Sequence, residues 1–285
     1  MLTLRYVLCD VFTERPLTGN ALAVFTDARR LSTATMQALA RELNLSESVF
    51  VLPPSAGGHA RIRIFTPSQE LPFAGHPTLG AAFVLGGPMQ SEYVRLETGA
   101  GIVPVALERE AARIIFGWMS QPVPKVSPFE PQAELFSALG VTGSVLPVES
   151  YDLGPTHLFV RLPSQDEVAR LQPDLRALQR LCTQAVNVFA GEGLRWRTRV
   201  FAPSHGVAED AATGSAAGPL AVHLLRHGLI GSGDTITIEQ GAELQRPSTL
   251  YARVHGSREQ IERVEVGGSA VILGRGELTL RDRMS

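Results

Sequence analysis

The string Arg61-Ile62-Arg63-Ile64-Phe65-Thr66-Pro67-Ser68 recurs later in the chain as Arg197-Thr198-Arg199-Val200-Phe201-Ala202-Pro203-Ser204. Past three extra residues in the second copy, Glu70 aligns with Glu209 and Gly75 with Gly214, and an apolar, helix-like run follows each glycine. The weight of the match lies in its shared order of strand, proline break, acid, glycine and helix. That order predicts one structural unit used twice, with two equivalent loops facing each other across a pseudo-symmetric cleft, a natural place for chemistry.

The 285 residues, 44% of them hydrophobic, suffice for two domains with ample core. Lys and Arg number 26 against 28 Asp and Glu, a formal net charge of -2, with no basic stripe or acidic tail. Nucleic acid is therefore not an expected partner. Arg5 and Asp10 interrupt the first strand-like run, so no secretory segment is expected before it. With only Cys9 and Cys182, far apart, a reduced cytoplasmic protein is expected. Charge, Gly or Pro breaks every apolar stretch well short of the roughly 20 residues of a membrane span, so no membrane association is expected.

Alternating β-formers predict strands over Leu4 to Phe12, Ser48 to Leu52, Arg61 to Phe65, Ile102 to Leu107 and Arg113 to Met119, read as an antiparallel meander. Ser32 is placed to cap a helix whose face is Met36, Leu39, Ala40 and Leu43, with Asn44 as a left-handed stop. His76 to Leu85 is apolar nearly all round, as is its counterpart Gly214 to Leu225, so each predicts a helix enclosed by strands. Pro122, Pro124, Pro128 and Pro131 predict an extended connector between residues 1–120 and 132–285, with the last strand free to return to the first domain. The second half predicts a helix near Pro131 to Leu139, strands at Ser144 to Tyr151 and His157 to Leu162, and a helical stretch from Gln165 to Leu181 broken at Pro173. Six further strands follow, near Ala185–Phe189, Arg195–Ala202, Thr235–Ile238, Tyr251–Val254, Ile261–Val266 and Ser269–Leu273. Few βαβ alternations occur, so the fold class is α+β, two domains each wrapping strands around a central helix.

Candidate chemistry gathers at the two helix starts. Glu70-Leu71-Pro72-Phe73-Ala74-Gly75-His76-Pro77 and Glu209-Asp210-Ala211-Ala212-Thr213-Gly214-Ser215-Ala216 each end in an early turn with free backbone N-H groups, which suits an anion such as a substrate carboxylate. Well-capped core helices, with Thr213 or Ser215 as cap, would account for the same residues. Glu47 lies between the first helix and a buried strand, where a poorly solvated carboxylate could take and return a proton; a solvated turn is the plainer alternative. His76 and Asp210 are likewise open to a purely structural role. His223 and His227 have the spacing of paired metal ligands, but Leu224 stands where a zinc protease needs glutamate and no third ligand is evident, so no metal is expected. Gly99-Ala100-Gly101 lacks the third glycine of a dinucleotide fingerprint, there is no Walker sequence or GxSxG elbow, and neither cysteine sits in an electropositive turn. No cofactor and no covalent nucleophile are expected.

Taken together, GNALAVF at Gly19 to Phe25, LNLSESVFVL at Leu43 to Leu52, RIRIFTP at Arg61 to Pro67, ELPFAGHP at Glu70 to Pro77 and EDAATGSAAGPLA at Glu209 to Ala221 resemble the phenazine biosynthesis isomerase family, PhzF. The resemblance implies a diaminopimelate epimerase-like fold, two pseudo-symmetric domains with the active site in the cleft between them, and a homodimer. In diaminopimelate epimerases a cysteine precedes each helix-start glycine, one acting as base and one as acid. Ala74 and Thr213 occupy those places here, which argues against a two-base racemase. By resemblance Glu47 is the catalytic acid-base, His76 and Asp210 contact the substrate hydroxyl and amino groups, Gly75, Gly214 and Ser215 hold its carboxylate, and Ser46 is a further contact. The implied reaction is cofactor-free isomerisation of trans-2,3-dihydro-3-hydroxyanthranilate, with proton transfer from C3 to C1, to an aminoketone precursor of phenazines. A related isomerase or epimerase acting on another small amino acid is the alternative.

Overall fold

The Ser32 hydroxyl accepts the Thr35 amide at 3.1 Å, and helix α1 (Thr33–Leu43) ends at Asn44 in the left-handed conformation, its amide bonded to the Ala40 carbonyl. Met36, Leu39 and Ala40 are buried as their spacing requires. The computed structural model describes residues 1–280, which form two units: residues 1–119 with 267–280, and residues 120–266.

In the first unit β1 (Leu2–Val11) runs antiparallel to β2 (Asn20–Phe25), and the chain crosses through α1 to β3 (Glu47–Leu52), which lies parallel to β2. Strand β4 (Ala60–Phe65) is antiparallel to β3, and the short β5 (Glu70–Leu71) folds back on β4. Helix α2 (Gly75–Met89) then crosses to β6 (Tyr93–Thr98), parallel to β4, and β7 (Gly101–Glu110) and β8 (Arg113–Gln121) follow as antiparallel neighbours.

The second unit repeats this order. Strand β9 (Lys125–Pro128) pairs with β10 (Glu149–Asp152) across α3 (Gln132–Leu139), and β10 pairs antiparallel with β11 (Thr156–Arg161). Helices α4 (Gln165–Arg170) and α5 (Leu175–Leu181) cross to β12 (Ala185–Glu192), parallel to β11; β13 (Arg195–Ala202) is antiparallel to β12, and β14 (Val207–Asp210) folds back on it. Helix α6 (Gly214–Arg226) crosses to β15 (Thr235–Gln240), parallel to β13, followed by β16 (Ser248–Gly256) and β17 (Ile261–Gly268). The last strand, β18 (Ala270–Leu280), pairs with β1 in the first unit, as β9 pairs with β10 in the second.

Three sequence expectations are corrected. The first half is not an antiparallel meander, because α1 and α2 return the chain parallel to β2 and β4, as a crossover helix allows and a tight hairpin does not. The proline-rich connector contains a strand, β9, whose Pro128 lies at its end where a missing N-H is tolerated. The strand expected from Ser144 is confined to Glu149–Asp152.

The duplication extends to side chains. Arg63 donates through Nε and an Nη to both oxygens of Glu70 at 2.7 and 2.6 Å, and Arg199 grips Glu209 in the same two-pronged way at 2.8 Å for both bonds. Each guanidinium also lies 5.1 Å from the ring of the phenylalanine two residues on, Phe65 or Phe201. Each grip ties the strand to the acid that leads into the helix-start turn, fixing where that turn leaves the sheet. Helices α2 and α6 are both enclosed. A Cβ on Gly80 would meet the Leu22 and Val11 side chains at 2.5 and 2.8 Å, so glycine lets α2 sit close against β1 and β2.

Candidate active site

The expected site residues fall into two groups, one in each unit. In the first unit, Glu47 opens β3 beside Ser46, which is half-buried, and Gly75 and His76 open α2. Glu47 is no solvated turn residue: its side chain is 12% exposed, and its Oε2 lies 3.4 Å from His76 Nδ1. Asn20, at the start of β2, places its amide nitrogen 3.3 Å from the same Nδ1. Nδ1 of His76 thus faces both a carboxylate, which accepts, and an amide nitrogen, which donates. Nε2 has no hydrogen-bond partner although the residue is 2% exposed. Burial pushes the His76 pKa down to about 3, so the ring is neutral near pH 7.

No side chain caps α2. Ala74 is the cap residue, its carbonyl taken by the Thr78 amide and hydroxyl, and Pro77 has no N-H to offer. The amides of Gly75 and His76 occupy the first two helical positions, where no intrahelical acceptor precedes them. The turn is braced from behind, since the Ala100 amide donates to the Pro72 carbonyl at 3.1 Å and a Cβ on Gly99 would strike Pro72. That is the role of the Gly99-Ala100-Gly101 sequence.

In the second unit Gly214 and Ser215 open α6, again without a side-chain cap. The expectation that Thr213 or Ser215 caps this helix is corrected. The Thr213 hydroxyl donates to Asp210 Oδ2 at 2.7 Å and accepts from Gln240 Nε2 at 2.9 Å, while the Gln240 Oε1 accepts the Thr213 amide at 3.0 Å. Gln240 also donates to the Asp210 carbonyl at 2.8 Å. Asp210 is thereby held at the end of β14, buried and aimed by its neighbours. Ser215 Oγ instead lies 3.1 Å from His157 Nε2, and Asn187 backs that imidazole at Nδ1.

Register shows what the second unit lacks. Ser48 faces Phe65 across β3 and β4, and Val186 faces Phe201 across β12 and β13. Because Phe65 and Phe201 are repeat equivalents, the counterpart of Glu47 is Ala185. Ala74 and Thr213 are the two residues immediately before the helix-start glycines, and neither carries a group that titrates near neutral pH.

A third ligand does join His223 and His227, contrary to the sequence reading. Glu149 Oε2 lies 3.2 Å from His223 Nδ1 and 3.0 Å from His227 Nε2, and the Tyr151 hydroxyl donates to it at 2.8 Å. Among the described residues this trio is the grouping that could hold a metal ion. It sits at the C-terminal end of α6, away from the Gly214 turn, and it also satisfies a half-buried carboxylate. Burial alone would raise the Glu149 pKa, but the bonds from His223, His227 and Tyr151 hold it below the usual carboxylate range. Cys9 and Cys182 are buried; burial pushes the Cys9 thiol up to about 12, so it is no nucleophile.

The family described as phenazine biosynthesis-like protein, PhzC-PhzF, matches residues 9–276. The chain belongs to this family. Over 275 residues it is 52% identical to a trans-2,3-dihydro-3-hydroxyanthranilate isomerase of Pseudomonas fluorescens, spanning 96% of this chain and 99% of that one. A solved structure from Pseudomonas aeruginosa described as a predicted epimerase superposes with a TM-score of 0.83 at 34% identity, over 98% of this chain and all of the other. A hydroxyproline epimerase from Agrobacterium vitis shares the fold alone, with a TM-score of 0.72 at 13% identity over 98% and 93% of the two chains. The chain thus has the α+β, epimerase-like fold that its resemblance to the family implied. Among the described residues, no helix is long and apolar enough to cross a membrane.

The sequence reading missed Asn20, His157, Asn187 and Gln240 around these turns. Asn20 lies inside the GNALAVF motif, which could have pointed to it, but His157 and Asn187 sit in apolar strands that read as plain core.

Proposed function

We propose that this protein isomerises trans-2,3-dihydro-3-hydroxyanthranilate to the aminoketone used in phenazine biosynthesis, with Glu47 as the single acid-base. The carrying observation is Glu47 itself: a shielded carboxylate beside His76 at an uncapped helix start, with alanine at the equivalent place in the second unit. In this reading Glu47 takes the proton from C3 and returns it to C1 on the same side of the ring, and the conjugated system carries the developing charge meanwhile. The first amides of α2, at Gly75, and of α6, at Gly214 and Ser215, carry no side-chain cap, and each helix start by itself suits a carboxylate. His76, whose Nε2 has no hydrogen-bond partner among the described residues, suits a substrate hydroxyl, and Asp210, as an acceptor, suits the amino group. Ser46 borders Glu47 and completes the set.

The 52% identity to an enzyme of that name supports the substrate assignment. A second reading, an epimerase acting on another small amino acid, draws on the 34% identical structure described as a predicted epimerase. It is disfavoured by Ala74 and Thr213, since alanine has no proton to transfer and the Thr213 hydroxyl is engaged by Asp210 and Gln240 and does not ionise near neutral pH. The reading extends to a cytoplasmic homodimer, consistent with two unpaired buried cysteines and testable by analytical ultracentrifugation. The deciding experiment is incubation with the dihydro-hydroxyanthranilate in deuterated buffer, following loss of its absorbance and the mass of the product. Turnover is expected, with deuterium at C1 to the extent that the Glu47 proton exchanges with solvent before delivery; exchange at the α-carbon of an unrelated amino acid, with the dihydro-hydroxyanthranilate untouched, would favour the epimerase.

A further inference from the structure

Three buried groups in the second unit form a line. Asn187 on β12 places Nδ2 3.2 Å from the carbonyls of both Leu158 and Ala185, and 3.4 Å from His157 Nδ1. Carbonyls can only accept, so the amide nitrogen must face them, and the same nitrogen therefore faces Nδ1. A proton on Nδ1 would point at a donor. The ring proton belongs on Nε2, where Ser215 Oγ lies 3.1 Å away. All three residues are at most 5% exposed, so the arrangement is shielded from water. Burial, with a smaller contribution from His205, pushes the His157 pKa down to about 3, which keeps the ring neutral and this tautomer in place.

We infer that His157, oriented by Asn187, is a positioning residue that fixes the polarity of Ser215. By donating to Ser215 Oγ it occupies that oxygen as acceptor, and the serine's own proton is left to donate elsewhere. At the second position of α6, beside the Gly214 and Ser215 amides, a hydroxyl set as donor adds a third N-H or O-H for one anion. The first unit also sets an asparagine beside a buried histidine, Asn20 at His76 Nδ1, but there Glu47 Oε2 shares that nitrogen, so the histidine–serine relay is particular to the second unit.

The inference rests on the reading of the Gly214–Ser215 turn as a carboxylate cradle, but its first test does not. Nitrogen-15 NMR of the histidine-labelled wild-type protein is expected to show His157 protonated at Nε2 and bare at Nδ1 from pH 5 to 8; protonation at Nδ1 overturns the relay whatever the substrate. The second test uses anthranilate, an aromatic ring with adjacent amino and carboxylate groups, and its neutral amide. Ser215→Ala and His157→Leu should each weaken anthranilate about tenfold or more, the loss expected when a hydrogen bond to a charged group is removed. The double variant should lose no more than Ser215→Ala alone, His157→Gln should restore most of the affinity by offering an amide N-H, and the neutral amide should be little affected. Additive losses, or an unchanged anthranilate affinity in His157→Leu, would overturn the proposal. Failure of the wild type to bind anthranilate would strike at the substrate reading and leave the NMR result to decide the relay.

Discussion

The starts of α2 and α6 descend from one repeated pattern and have been put to different uses. Both follow a strand whose arginine grips an acid, both lack a side-chain cap, and both open with glycine and a buried polar residue, His76 or Ser215. The first has Glu47 beside its histidine, where the second has Ala185 and instead holds Asp210 through Thr213. Symmetry supplies two equivalent uncapped turns, while the proposed chemistry rests on a group found in one unit.

The largest expected effect tests that asymmetry. Glu47→Gln should lower turnover by about a thousandfold, within the range for loss of a general acid-base, while leaving the melting temperature near that of the wild type. Initial rates and calorimetry measure the two quantities; a rate within tenfold of the wild type would mean that the units are not used as described. Next comes the arginine of the second unit. The Arg199–Glu209 pair is 8% and 12% exposed, and Arg199 also donates to the Leu171 carbonyl at 2.7 Å, so Arg199→Met should cost about 3 kcal/mol in urea denaturation by leaving a shielded carboxylate unpaired.

A smaller effect concerns the two buried histidines. With folded pKa values near 3, His76 and His157 bind fewer protons folded than unfolded, so the stability they confer is complete above about pH 6.5 and is lost as pH falls toward 3. Each should add a slope of up to about 1.4 kcal/mol per pH unit, strongest once pH is well below 6.5. Denaturation of the wild type and His157→Leu between pH 7 and 4.5, above the carboxylate range, should give a shallower slope for the variant; identical slopes would contradict a buried neutral His157. The smallest effect is Arg63→Met. Its pair with Glu70 is 24% and 38% exposed, so the same substitution that is costly in the second unit should cost under about 1 kcal/mol in the first.

The repeat itself was legible because it is local: strand, break, acid and glycine lie within one short stretch, and so do the Ser32 and Asn44 signals of α1. The parallel pairing of β2 with β3 was not, because period-two alternation fixes which face of a strand is buried but not the direction of its neighbour. The same distance problem hid Glu149 from His223, and His157 from Ser215; each partner is far off in sequence and lies in a strand whose apolar surroundings suggest only core. Arg63 and Glu70, by contrast, were aligned with Arg199 and Glu209 by the repeat, and their grip could have been inferred from it. At the turns, the glycines, His76 and Ser215 were legible in the sequence but Asn187 was not, because a tautomer depends on a neighbour placed by tertiary structure.

The most direct test of single-acid chemistry is the face on which hydrogen arrives. The isomerase reaction is run in deuterated buffer, the product is trapped by reduction, and the configuration of deuterium at C1 is read by NMR against that of the hydrogen lost from C3. One carboxylate serving both carbons predicts removal and delivery on the same face of the ring. Delivery to the opposite face would require a second acid, and would contradict the assignment of catalysis to Glu47 alone.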